Sequence, residues 1–282
     1  MNKMPYERSD ILSVLAVLGG TIITWYLNNE LIISGYDMNA VLASGIVGLL
    51  GGLIFKKYAG QIFCGSFAGM SSSLVIENVY YSILFGIVAG LIYVIWKDYL
   101  NGHGGKFGTT AFMSVCFCLL LLGIGGKDYS GINAASSAAI TMEWFVLVLI
   151  AAVVLTPVTW FVRREFFQRL LTDKCADAVL GSALVGIIIG ALFPEISATY
   201  GLTLALVGYS ASFAGMTAVP GVFQDYKHFA ACGVFVAILF TVTADMVPGG
   251  GGKLGTIGFT SVIITKYILE HYRERRKELC PA

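Results

Sequence analysis

The chain has 282 residues, of which 57% are apolar and only 12% are charged, and its formal net charge is +1. An ordinary soluble domain carries roughly 25% charged residues, so the composition argues against a soluble globular protein and favours one embedded in a membrane. We find no basic and aromatic surface of the kind that binds nucleic acid.

Apolar stretches long enough to cross a bilayer, about 17 to 25 residues, follow one another along the chain. We predict ten membrane-spanning helices, at 11–28, 38–55, 59–76, 79–96, 106–124, 141–162, 175–194, 201–219, 228–245 and 254–271. The first is interpreted as an anchor rather than a cleavable signal peptide, because no small-residue cleavage site follows it. The polar segments Gly125 to Ser136 and Arg163 to Lys174 are short enough to be loops.

Three sequence matches in the same order indicate an internal duplication. Gly-Gly-Lys-x-Gly-Thr occurs at 104–109 and 251–256, and Ser-Phe-Ala-Gly-Met at 66–70 and 212–216. Ala-Val-Leu at 40–42, followed by Ser44, recurs at 178–180, followed by Ser182. We therefore divide the chain into a first repeat, 1–140, and a second repeat, 141–282, each with five predicted helices.

The positive charges test the orientation of these helices. With a cytoplasmic N-terminus and ten crossings, 16 of the 18 Lys and Arg residues lie inside, and only Lys127 and Lys253 lie outside. Cytoplasmic loops are enriched in Lys and Arg, so this bias supports the topology. In a rival topology the Ser-Phe-Ala-Gly-Met segments re-enter without crossing. It separates Arg163 and Arg164 from the Arg-rich C-terminal tail, and the charge rule disfavours it.

An odd number of crossings per repeat turns the second repeat upside down relative to the first. The predicted fold class is an all-α polytopic membrane protein with about ten transmembrane helices in two inverted five-helix repeats. We expect it in the plasma or inner membrane with both termini in the cytoplasm. Lys106 is then at the cytoplasmic end of its helix and Lys253 at the outer end of its own. The plan looks like that of several secondary-transporter folds, a likeness that transfers no site residues.

The two Ser-Phe-Ala-Gly-Met segments are the best candidates for a substrate-binding site. Each lies within a predicted span and precedes helix-weakening residues, Ser71 to Ser73 in the first repeat and Thr217 to Gly221 in the second. We predict that the two helices are broken or kinked there, near Gly69–Ser73 and Gly215–Pro220. A helix broken inside the membrane exposes backbone groups that a ligand, water or another helix must satisfy. Alternatively, the small residues only allow close helix packing. The candidate residues are Ser66, Phe67, Gly69, Met70, Ser71, Ser212, Phe213, Gly215, Met216 and Thr217.

Lys106 and Lys253 complete the candidate substrate-binding set. Each lies in the first turn of a predicted helix, where the helix dipole disfavours a cation. An anion or carbonyl oxygen bound at each mouth would account for this placement. Alternatively, the two lysines reach the lipid head groups or pair with Asp98 and Asp245.

No enzymatic chemistry is predicted. The six cysteines are interpreted as structural, and no His or Cys pair has metal-ligand spacing. We find no nucleophile with a matching base and no cofactor-binding motif. We therefore expect no catalytic residue, no metal and no cofactor.

Three functions are compatible with these features. The preferred one is a transporter that moves a small solute, anionic or polar and neutral, through a midplane site between the repeats. The alternatives are a small-solute or ion channel, and a lipid flippase or membrane enzyme acting on a phosphorylated lipid. The expected partners are the lipid bilayer and a small-molecule or ion substrate, without nucleic acid. Homo-oligomerisation is left open.

Accessibility of introduced cysteines tests the five-span repeat. In this topology Arg164→Cys and Arg275→Cys react with an impermeant thiol reagent from the cytoplasmic side, and Lys127→Cys reacts from the outside. The rival topology places Arg164 and Arg275 on opposite sides, because it has one crossing fewer between them. Labelling of Lys127→Cys and Arg164→Cys from the same side would also contradict the five-span repeat.

Overall fold

The computed structural model describes residues 8–33, 36–126, 142–169 and 174–279. The predicted junction between the repeats near residue 140 lies outside the described residues, as do Lys127 and Cys280.

The described residues form ten α-helices and one very short hairpin. The helices are α1 (Arg8–Asn29), α2 (Ala40–Ile54), α3 (Ala59–Gly69), α4 (Val79–Trp96), α5 (Lys106–Ile124), α6 (Met142–Val162), α7 (Lys174–Ile196), α8 (Gly201–Gly215), α9 (Lys227–Val242) and α10 (Lys253–Leu279). β1 (Ile32–Ile33) pairs antiparallel with β2 (Tyr36–Asp37). A 3₁₀ turn, Lys56–Tyr58, precedes α3, and a π-helical turn, Arg163–Phe167, continues α6.

Within these described ranges, five helices are long and apolar enough to cross a membrane. They are Arg8–Asn29, Val79–Trp96, Lys106–Ile124, Met142–Phe167 and Cys175–Ile196. Helices α2, α8 and α9 are also apolar but shorter. Large apolar side chains such as Leu120 and Ile124 are exposed on the outside of the bundle, where lipid can cover them. The predicted helical architecture, with helices long and apolar enough to cross a membrane, is thus confirmed.

The third and eighth predicted spans are shorter than expected. The sequence predicts helices to residues 76 and 219, but α3 ends at Gly69 and α8 ends at Gly215. Beyond each end a hydroxyl donates to a carbonyl three residues earlier, Ser71 to Ala68 at 2.8 Å and Thr217 to Ala214 at 2.7 Å. Such local bonds compete with helix continuation. The predicted breaks after these two segments are confirmed.

Glycines bring the helices of each half close together. In the first half, α3 runs parallel to α1, with Gly65 against Val17 and Gly69 against Thr21. In the second half, α8 lies on α6 in the same way, with Gly215 against Thr156. These contacts place the ends of α3 and α8 inside the bundle rather than at its surface.

Two helix pairs join the halves. Helix α2 runs antiparallel to α7 along its length, with Gly45 against Ile187 and Gly190 against Leu42. Helices α5 and α10 also run antiparallel, but they touch only near their first turns, where Gly108 packs on Gly255. The apolar core lies between these pairs.

The contact between α5 and α10 corrects the predicted positions of the two lysines. Lys106 begins α5 and Lys253 begins α10, two residues before the touching glycines. The hydrocarbon layer of a bilayer is about 30 Å thick, so two helix starts in contact cannot lie at opposite membrane faces. The prediction that they do is wrong, because the loop before each helix carries its start back into the bundle.

Alanine substitutions test the contact between α5 and α10. A Cβ atom at Gly108 would lie 2.5 Å from the Cα of Gly255. Because this contact involves the backbone of both helices, it cannot be relieved by moving a side chain. We expect Gly108→Ala to lower the free energy of unfolding in detergent by about 1–3 kcal/mol. The matched control is Gly123→Ala in the same helix, where nothing lies within 4 Å of the new atom. A similar loss in both variants would contradict the contact.

Candidate functional site at four helix ends

The repeated motifs meet in crossed pairs. The backbone N–H of Gly104 donates to the Thr217 hydroxyl at 3.1 Å, and that of Gly251 donates to the Ser71 hydroxyl at 3.0 Å. The start of α5 therefore binds the end of α8, and the start of α10 binds the end of α3. Each Gly-Gly-Lys motif is held by the hydroxyl residue that directly follows the Ser-Phe-Ala-Gly-Met segment of the other half.

A second bond strengthens each crossed pair. The N–H of Ala218 donates to the Gly102 carbonyl at 2.8 Å, and the N–H of Ser72 donates to the Gly249 carbonyl at 2.9 Å. Close approach also requires glycine, because a Cβ atom at Gly104 would lie only 2.7 Å from the Thr217 oxygen. Each crossing is thus a two-bond clamp between backbone segments of different halves.

Four aromatic rings fill the space between α3 and α8. The rings of Phe67 and Phe213 lie 4.5 Å apart between centroids. Within each helix, the pairs Phe63–Phe67 and Tyr209–Phe213 are both 4.3 Å apart. All four side chains are fully buried. Phe67 and Phe213, which the sequence marks as candidate site residues, therefore lie in the centre of the core.

Buried serines link this core to α2 and α7. Ser66 lies 2.8 Å from Ser44, and Ser212 lies 2.8 Å from Ser182. The Ser44 hydroxyl is also 3.0 Å from the Tyr209 hydroxyl. Ser44 and Ser182 were not predicted as site residues. Their recurrence after the matched Ala-Val-Leu segments was the feature of the sequence that could have marked them. The hydroxyls of Ser66 and Ser212 thus already have protein partners.

The end of α8 is held by a buried arginine. The Nη1 atom of Arg163 donates to the carbonyls of Met216 at 2.8 Å and Thr217 at 3.2 Å. Its Nε atom donates to Asp177 at 3.0 Å. Arg163 is 5% exposed and Asp177 is 1% exposed. The ion pair links the π-helical turn after α6, the start of α7 and the last carbonyls of α8.

The equivalent positions in the first half are neutral. Gly69 contacts Thr24 as Gly215 contacts Thr159, and the fourth residue after these threonines is Asn28 in the first half and Arg163 in the second. Likewise, Asn39 precedes the matched Ala-Val-Leu segment where Asp177 precedes its copy.

At the end of α3, an amide makes the contact that the arginine makes at the end of α8: Asn29 donates to the Ser71 carbonyl at 3.2 Å. The charged pair is therefore a departure from the internal symmetry. Taken alone, the sequence around Arg163 predicts only a loop cation, and Asp177 carries no local signal of a site. The alignment of the two halves, in which both positions differ from their counterparts, is the signal that marks them.

The two lysines donate to the loops that precede their own helices. The Nζ atom of Lys106 donates to the Lys97 carbonyl at 2.7 Å and to Asn101 Oδ1 at 2.8 Å. That of Lys253 donates to the Ala244 carbonyl at 2.8 Å. Within the described ranges, neither lysine forms an ion pair. The alternative in which they pair directly with Asp98 and Asp245 is thus not observed.

A cavity of about 810 Å³ opens beside one of the two clamps. Both halves line it, with the 101–107 segment on one side and residues after α6, at the start of α7 and after α8 on the other. Its chemically active lining residues are His103, Lys106, Arg163, Cys175, Asp177 and Met216.

Burial, together with the positive charge of Lys266, lowers the pKa of His103, so this imidazole is neutral at pH 7. The charged groups of the cavity at that pH are then two cations and one carboxylate.

The cavity includes two of the twelve candidate residues, Lys106 and Met216. The other ten belong to the clamps, to the aromatic and serine core, or to the start of α10. Their contact with a substrate stays a prediction. Among the residues that the structure describes, no three His, Cys, Asp or Glu side chains are grouped so that they could hold a metal ion.

No protein-family model, curated protein or solved structure matches this chain. The helix crossings and the cavity are therefore the evidence that bears on its function.

A double-mutant cycle tests the buried ion pair. Arg163→Asn leaves the Asp177 carboxylate buried without its cation, which should lower the free energy of unfolding in detergent by about 3–5 kcal/mol. Adding Asp177→Asn reproduces the two asparagines of the first half and should recover a large part of that loss. Additive losses in the double variant would contradict the coupling of the two side chains.

Proposed function

We propose that the protein is a membrane transporter that moves a small solute, anionic or polar and neutral, between two inverted five-helix repeats. The observation that carries the proposal is the cavity, because residues of both halves line it and it ends at a crossing of broken helices. Substrate sites at the interface of two repeats, formed by discontinuous helices, are typical of secondary transporters.

The packing of equivalent helices supports the inverted repeat. Helix α2 packs on its counterpart α7, and α5 packs on its counterpart α10, and both pairs are antiparallel. A two-fold axis in the membrane plane produces antiparallel pairs of this kind. An axis along the membrane normal would bring equivalent helices together in parallel instead. In this proposal ten crossings keep both termini in the cytoplasm, and the positive-inside rule, applied to Arg163 and Arg164, favours a cavity mouth on the cytoplasmic side.

The two clamps provide matched contacts for alternating access. One clamp, between Gly104 and Thr217, lies beside the open cavity. The other, between Gly251 and Ser71, is its counterpart in the inverted arrangement. Rocking of one repeat against the other about the central helices would close the first mouth and open the second.

The aromatic core favours a carrier over a channel. A channel needs a continuous pore, whereas Phe63, Phe67, Tyr209 and Phe213 occupy the space between the two broken helices. In a carrier, a closed centre is what separates the two mouths.

Native Cys175 allows a test of the transport pathway. It lines the cavity and is exposed. Purified protein in oriented proteoliposomes is assayed for saturable uptake of labelled small solutes, before and after a bulky impermeant thiol reagent. We expect the reagent to abolish uptake from the side on which the cavity opens, because the adduct fills the cavity.

The matched control is Cys175→Ser, which keeps the other cysteines and should transport normally with or without the reagent. Uptake that rises linearly with solute concentration would indicate a channel. Inhibition that persists in Cys175→Ser would show that the cavity is not the pathway.

A further inference from the structure

We propose that this cavity binds a small organic anion and that Lys106 pairs with its carboxylate. The inference rests on the proposed function, because it names the class of solute. It concerns the site itself, however, and binding can be measured without transport.

Lys106 is a buried ammonium group that forms no ion pair with any residue that the structure describes. Only 6% of the residue is exposed, although it lines the cavity. Two of its three N–H groups donate to neutral oxygens, of Lys97 and Asn101. In the part of the chain that the structure describes, the third has no protein acceptor and no carboxylate forms an ion pair with it. Burying a charge without a partner is costly, so an anion in the cavity would stabilise this group.

The start of α5 favours an anion at the same place. Lys106 is the first residue of a 19-residue helix, whose dipole repels a cation and attracts a negative charge. The N-cap residue, Gly105, provides no side-chain oxygen for the first N–H groups. A carboxylate beside Lys106 would satisfy the lysine and the helix start together.

The other charges of the cavity do not supply this anion. Asp177 is engaged by Arg163 at 3.0 Å. Asp98, which acts on Lys106 at longer range, is exposed and forms no ion pair with it. With His103 neutral, the cavity holds one more positive than negative charge, which matches a monovalent anion.

The size and the lining of the cavity indicate an organic anion. About 810 Å³ is within the range of sites for small organic ligands, roughly 300–1,000 Å³, and far larger than a halide needs. Phe107, Met216, Val219 and Pro220 give it an apolar wall. In a carboxylate that carries a short apolar group, the charged end would contact Lys106 and the apolar end would contact this wall.

The test uses butyrate and butyramide, which differ in charge and hardly in shape. Thermal unfolding of the full-length protein in detergent is followed at increasing concentrations of each. We expect butyrate to raise the unfolding midpoint in a saturable way, as a ligand of the folded state does, and butyramide to have no such effect. Lys106→Gln should weaken the apparent butyrate affinity by roughly 10- to 100-fold, the effect of losing one charged hydrogen bond. Lys106→Arg should keep most of it.

Lys253→Gln is the matched control, because Lys253 holds the equivalent helix start and does not line the cavity. It should leave butyrate binding unchanged. Equal stabilisation of the wild-type protein by butyramide, or full butyrate binding by Lys106→Gln, would overturn the proposal. Stabilisation by inorganic phosphate or by short-chain phosphatidylglycerol, without an effect of butyrate, would also overturn it in favour of a phosphate ligand.

The two proposals fail in different ways. Butyrate binding without uptake of butyrate or of any other solute in proteoliposomes would support the anion site but contradict the transport function. Saturable uptake of a neutral solute that is insensitive to Lys106→Gln would support the transport function but contradict the anion site.

Discussion

The crossed hydrogen bonds between helix starts and helix ends are the constraint on which the rest of this structure depends. Inside an apolar bundle, the first N–H groups and the last carbonyls of a helix need partners. Here the Thr217 and Ser71 hydroxyls receive the N–H groups of Gly104 and Gly251 from the other half. Each half therefore completes the backbone of the other, and neither set of broken helices is satisfied alone. Close approach at these points also explains why the repeats keep glycine there.

The Arg163–Asp177 pair gives the two clamps different properties. Asparagine amides contact the end of α3, and they can exchange partners with water or neighbouring carbonyls at small cost. A buried guanidinium that binds two carbonyls and a carboxylate is much harder to separate, because each charge would be left without its partner. Movement at the α8 end is thus coupled to the state of one ion pair in the cavity wall. In the proposed transporter, a solute that alters the electrostatic field there would act on this helix end.

Much of the helical architecture was predictable from local features, whereas the site was not. Helix α4 begins where Asn78 caps it, and α5 begins after Gly105 in a left-handed conformation, so both starts follow from neighbouring residues. The breaks after Gly69 and Gly215 follow from the nearby hydroxyls. The partner of Gly104, by contrast, is 113 residues away. Arg163 looked like an ordinary loop cation because its burial depends on α7 and α8, which local sequence does not reveal.

The hydroxyl groups that directly follow the two Ser-Phe-Ala-Gly-Met segments illustrate why a polar residue at matched positions need not face a solute. Ser71 and Thr217 each donate one bond and accept another, so these two hydroxyls are used by the protein itself. A solute that bound them in this state would have to break a clamp. The groups left for a ligand are those that the clamps do not use, above all the Lys106 ammonium.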